Sequence, residues 1–103
     1  MQDDKVLAMI GLARRAGQAD TGAIMATKAI QKGKSELIIV AGDGADNVKK
    51  KFTNSCTYYE IPYLEIANKE LLSKCTGKEN IAVVSINDSN FARGIMSKLE
   101  TQK

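Results

Sequence analysis

The chain has 103 residues, 44% of them hydrophobic, and 15 Lys and Arg against 12 Asp and Glu leave a net charge of +3. That is room for one domain with a core of its own, able to fold without staples, and the charge is too small for a histone-like polycation. The sequence has no histidine, so the commonest general base and the commonest metal ligand are both missing.

Residues 4–16 place Val6, Leu7, Met9, Ile10, Leu12 and Ala13 on one helical stripe, with Arg14 and Arg15 in the last turn and Gly17 at the C-cap position. Residues 18–21 form a short extended segment. Thr21 or Gly22 opens a second helix that runs to Lys32, and Gly33 ends it. Residues 36–41 contain consecutive aliphatics and predict a strand buried on both faces. The loop 42–46 follows. A helix over about 46–58 carries Val48, Phe52 and Cys56 at a spacing of four, with Lys49, Lys50 and Lys51 beside that stripe. Residues 62–67 predict a strand with Pro62 at its first position, where a missing N–H is tolerated. Asn68 caps a short helix through Lys74 or Cys75. Residues 80–86 predict a second strongly buried strand. Asp88 or Ser89 caps the last helix, with Phe91, Ala92, Ile95, Met96 and Leu99 inward.

This alternation predicts an α/β fold: a single domain over 1–103, a three-layer α/β/α sandwich around a mixed, mostly parallel sheet of about four strands. In such sheets ligands bind outside the strand ends, on the connecting loops.

The charge is unevenly spread. Nine basic residues and four acids between Lys5 and Lys51 leave +5, and residues 52–103 are neutral. Met25, Lys28 and Lys32 share a face of the second helix. Ammonium groups so placed can meet phosphates, although a basic helix face is also the ordinary solvated kind.

Enzyme readings fail on details. Gly42-Asp43-Gly44 follows a strand and precedes a helix, but Asn47 stands where the dinucleotide fingerprint needs a third glycine. Asp43 and Asp46 would repel a phosphate there. Asp43, Asp46 and Asp88 on loops evoke a Mg²⁺ site, yet Asp at a helix start is more often a cap. Cys56 and Cys75 have no CxxC partner and no imidazole for zinc. The expectation is no catalytic residue, no metal and no cofactor. The acidic start of the chain and a longest apolar run of five residues predict neither a signal peptide nor a membrane span, which needs ~20 residues. A cytoplasmic protein with free, buried thiols is expected.

With those residues in place, the sequence resembles the ribosomal protein "L-seven-Ae" kink-turn RNA-binding family, in its small bacterial YlxQ-like branch. The marks span residues 5–99. They are Gly11-Leu-Ala-Arg-Arg-Ala-Gly17, then Gly22, Lys28-Ala29-Ile30 and Gly33, and Leu37-Ile-Ile-Val-Ala41 with Asp43. Cys56, Ile61-Pro62-Tyr63, Leu72, Gly77-Lys78 and Val83-Val84-Ser85-Ile86-Asn87-Asp88 complete them.

The resemblance implies the three-layer sandwich and non-catalytic binding of structured RNA, associated with the ribosome. The partner would be ribosomal RNA or another kinked stem with tandem sheared G·A pairs, with ribosomal proteins beside it. The binding element would be the start of the second helix with two nearby loops. Gly22 matches the glycine that lets the backbone approach RNA, and Lys28 matches a lysine one turn on. Ile24 and Met25 fall where kink-turn binders carry Asn-Glu, so the pair that hydrogen-bonds guanine edges is absent. Asp20 and Thr21 fall where some relatives place basic residues. Ile66, Ala67 and Asn68, with Leu64 and Lys69, match the loop that contacts the extruded base and the stem. Lys49 and Tyr59 map near that base's pocket, and Lys32 extends the basic face of the helix. Two other readings stand beside this one: a protein-interaction module using exposed Ile24 and Met25, and a small nucleotide-binding enzyme.

Overall fold

The computed structural model describes residues 2–100, and the side chains of residues 4–99. Nine elements follow in order: α1 (Gln2–Arg15), β1 (Ala19–Thr21), α2 (Ala23–Gln31), β2 (Leu37–Val40), α3 (Asp46–Tyr59), β3 (Tyr63–Glu65), α4 (Lys69–Thr76), β4 (Val83–Ile86) and α5 (Ser89–Glu100). The four strands form one sheet in the order β1-β4-β2-β3.

Every residue of β2 and β4 is buried, as continuous aliphatic runs require when both faces are covered. Alternate side chains enter two separate cores. Leu37, Ile39, Val84 and Ile86 face Val6, Ile10, Leu72 and Ile95 of α1, α4 and α5. Ile38, Val40 and Val83 face Ala26, Ile30, Phe52 and Cys56 of α2 and α3. The expected α/β/α sandwich is therefore present, with three helices on one face and two on the other.

The sheet is not mostly parallel. β2 pairs with β3 in parallel, but β4 is antiparallel to both of its neighbours, β1 and β2. The cause lies between α4 and β4. Gly77 (φ 72°) and Asn80 (φ 55°) take the left-handed conformation and turn the chain back on itself. The Ile81 amide then donates to Ser73 Oγ at 2.8 Å, tying the returning segment to the middle of α4. The chain re-enters the sheet at the end it left, so β4 runs opposite to the rest and begins at Val83 instead of at Asn80.

Leu12 is a second departure. It belongs to the apolar stripe of α1 by spacing but is 50% exposed. Ser85 is the inward polar residue of β4. Its hydroxyl donates to Asn87 Oδ1 (2.7 Å) and lies 2.8 Å from Ser35 Oγ. Asn87 Nδ2 donates to Asp20 Oδ2 at 2.9 Å. This chain of bonds satisfies the buried hydroxyl, whose desolvation would otherwise cost about 1–3 kcal/mol. Among the described residues no helix is long and apolar enough to cross a membrane.

Both cysteines are free. Burial pushes the Cys56 thiol up to about 11 and also raises that of half-buried Cys75, where the backbone partly opposes the shift. Thiolates are the reactive form. Iodoacetamide at neutral pH is therefore expected to alkylate Cys75 first and Cys56 only as the protein unfolds. Mass-spectrometric labelling at equal rates on both would contradict the packing of Phe52 and Cys56.

Candidate nucleic-acid interface

β1, β2 and β3 all end on one side of the sheet, where β4 begins. Thr21 pairs with Val84 and Val40 with both Val83 and Glu65. Three loops emerge there, and each opens a helix.

The first is the start of α2. The Gly22 amide donates to Val83 O at 2.8 Å, and Gly22 O accepts from the Ala26 amide at 2.9 Å. Between these two bonds the chain turns through φ 92°, ψ 157°, a conformation essentially reserved for glycine. No side chain caps the helix and no acid stands in its first turn. Its leading amides therefore carry the positive end of the helix dipole to the surface. Ile24 and Met25 on that turn are 74% and 45% exposed. Lys28 lies one turn on and is exposed.

The second and third loops are fastened to each other. The Gly42 amide donates to Ala67 O at 3.1 Å. A Cβ on Gly42 would stand 3.0 Å from that oxygen, so the approach favours glycine. Ala67 itself is left-handed at φ 58°. Asp43 Oδ1 accepts from the Lys69 amide at 2.8 Å, and Asn68 Oδ1 accepts from the Leu71 amide at 2.8 Å. Asn68 thus caps α4 as its sequence position predicts, and Asp43 adds a second cap from across the end of the sheet. Lys49 Nζ donates to Gly42 O at 2.6 Å and sits 3.5 Å from Glu65 Oε1.

Nine of the sequence-predicted positions therefore share one end of the fold: Thr21, Gly22, Ile24, Met25, Lys49, Ile66, Ala67, Asn68 and Lys69; Lys28 follows them one turn along α2. Two positions fall elsewhere. Lys32 is the C-cap of α2, about 14 Å along the axis from the first turn at 1.5 Å per residue. Tyr59 ends α3, about 20 Å from the start of that helix on the same rise, and is not beside the 66–69 loop. Asp20 is engaged in the Ser85 network, accepting from Asn87 Nδ2. Lys49 and Asn68 are both engaged within the protein.

Gly42 and Asp43 were legible only in part. A glycine directly after a buried strand signals a close backbone approach, but its partner at Ala67 is remote in sequence. The Mg²⁺ reading does not fit. Asp43 is a cap, and Asp88 lies at the opposite end of β4, accepting from the Asn90 amide at 3.3 Å. Among the described residues no three acids, cysteines or histidines group to hold a metal.

The comparisons agree with this architecture. RNA-binding protein YlxQ of Bacillus subtilis is 33% identical over 92 residues, covering 89% of this chain and 92% of its own. RNA-binding protein YlxQ of Enterococcus faecium is 33% identical over 96 residues, covering 93% and 92%. A Bacillus halodurans protein of unknown function superposes with a TM-score of 0.88 at 33% identity, covering 93% of this chain and 97% of its own. A 15.5 kD RNA binding protein of Giardia lamblia superposes with a TM-score of 0.80 at 25% identity, covering 97% and 88%. The family model for ribosomal protein L7Ae/L30e/S12e/Gadd45 matches residues 4–95, and the chain belongs to that family.

Proposed function

We propose that this protein binds structured RNA without catalysis, gripping a kinked, ribosome-associated stem in the cytoplasm at the sheet end where β1, β2 and β3 finish. The observation that carries the reading is the start of α2. An uncapped, acid-free helix N-terminus receives phosphate oxygens through its amides. The glycine before it leaves room for the backbone of the nucleic acid. The names of the two YlxQ relatives and of the Giardia neighbour, all RNA-binding, support it.

Ile24 and Met25 decide the manner of binding. Neither can read a base edge by hydrogen bonding, where a bidentate pair is worth about 1–3 kcal/mol of discrimination. Both can pack against an unstacked base of a kinked stem. The expected result is affinity carried by phosphates and shape, with shallow discrimination between stems.

Binding is tested with a stem containing tandem G·A pairs against a plain duplex of equal length. Lys28→Glu is expected to weaken stem binding about tenfold and to flatten the salt dependence by roughly one phosphate contact. Lys32→Glu leaves binding of the same stem unchanged. If Lys28→Glu leaves affinity for every structured RNA intact, the assignment to α2 is wrong. The exposure of Ile24 and Met25 also fits a protein-interaction module. Partners retained after nuclease treatment and lost on Ile24→Ser would favour that second reading.

A further inference from the structure

α2 and α3 lie in the same layer and both start at the end of the sheet just described. They run in the same direction away from it. α3 is the longer, with 14 residues, or about 20 Å at 1.5 Å per residue. Its inward face is Val48, Phe52 and Cys56. The opposite face, at helical spacing, is Asn47, Lys50, Lys51, Asn54 and Tyr58, all exposed and without a carboxylate. Across residues 22–34 and 45–60 there are six lysines and two acids, Asp46 and Glu60. The acids occupy the first position of α3 and its C-cap, so Asp46 stands one turn before Lys50 at the start of the track and Glu60 lies beyond its end. Lys49 faces aside and is held by Gly42 O and Glu65, but Lys50 and Lys51 are exposed, Lys51 with its ammonium 5.6 Å from the Phe52 ring centroid.

Tyr58 is the informative residue. It is 78% exposed on a helix whose core position is already filled by Phe52, so it does no packing work of that size. Its ring meets Tyr59 edge-on, with centroids 4.9 Å apart and planes at 79°. The contact steadies the ring and leaves it largely open. A basic track leading to an open aromatic platform is what single-stranded nucleic acid requires: ammonium groups for the backbone and a π-face for a base.

We propose that the outer face of α3 is a second contact, for a single-stranded segment flanking the RNA held at the start of α2. The segment follows Lys50 and Lys51 and stacks a base on Tyr58. This rests on the reading that the end of the sheet binds RNA, and it extends the interface down the α2–α3 layer, with Lys32 at its side.

The test compares three probes: a tandem G·A stem, the same stem carrying a single-stranded oligouridine tail at its 5′ or 3′ end, and the oligouridine alone. The wild-type protein is expected to bind one of the tailed stems about tenfold tighter than the bare stem, the gain of one stacked base with its phosphate contacts. Tyr58→Ala and the double variant Lys50→Glu/Lys51→Glu remove that gain and bind the bare stem as the wild type does. Circular dichroism confirms that these surface variants are folded. The proposal is overturned if neither tail improves binding, or if the gain survives both variants. It is also overturned if Tyr58→Ala costs the protein a nuclease-resistant partner and no tail affinity. Failure of the underlying reading looks different. The bare stem then does not bind at all, while oligouridine alone still binds and is weakened by Tyr58→Ala.

Discussion

Replacing Phe52 with Ala is expected to cost about 3–5 kcal/mol of folding free energy. Phe52 is fully buried and is the one aromatic ring among the buried residues of the core between the sheet and the α2–α3 layer. Its neighbours Ile38, Val40 and Val83 belong to the two central strands and are held by hydrogen bonds on both sides. They cannot move in to fill the space, so the cavity term is kept nearly whole. Domains of this kind have only about 5–15 kcal/mol in hand. The urea midpoint of Phe52→Ala should therefore fall sharply, and Cys56 should become open to alkylation in the native buffer. Phe91→Ala, which removes a half-buried ring from the larger core, should cost less. A loss below about 1 kcal/mol for Phe52→Ala would mean that α3 is held by something other than this ring.

Gly22→Ala is expected to have the largest effect on RNA. A Cβ at Gly22 meets no atom within 4 Å, so the penalty is torsional and not steric against a neighbour. At φ 92° and ψ 157° it is about 1–3 kcal/mol. The chain can escape by rotating the peptide. That rotation breaks the Gly22 amide bond to Val83 O and swings the first turn of α2 away from its present aim. Affinity for a kinked stem should fall tenfold or more while the circular dichroism spectrum stays that of the wild type. Gly17→Ala and Gly33→Ala are the controls. Both positions are left-handed with open space, so they also lose stability, but neither touches the α2 start. Equal RNA affinity for Gly22→Ala and the wild type would take the start of α2 out of the interface.

The legible parts of this fold were those whose cause is local. The aliphatic runs in β2 and β4 announced buried strands, because short β-branched runs bounded by turn residues fit a sheet covered on both faces. Asn68 announced the start of α4, because a capping side chain acts within three residues of itself. The direction of β4 was hidden. It depends on the left-handed turns at Gly77 and Asn80 and on an amide finding Ser73, and alternation of helix and strand says nothing of these. Leu12 was misplaced because a stripe drawn on one helix does not reveal how wide its partner is. In the candidate site, the apolar pair Ile24 and Met25 could be located from the helix start that precedes them. The engagement of Lys49 with Gly42 and Glu65, and of Asp43 with the Lys69 amide, joins segments far apart in the chain. The resemblance maps Tyr59 near the pocket of the extruded base, and only the direction of α3 shows that it lies at the far end of that helix.

The inserted strand β4 has a consequence for how the molecule is made. It is the last of the four described strands in sequence, yet it lies between β1 and β2. Before residues 83–86 are synthesised, β1 has no neighbour to pair with and the Gly22 amide has no acceptor. β2 and β3 can pair before it, but the attachment of β1 to the sheet must wait for β4. A nascent chain can form individual helices, but the complete sheet end proposed to bind RNA does not exist on it. On the proposed reading, RNA binding becomes possible only once β4 has been made and paired, and a fragment ending before Val83 should have none.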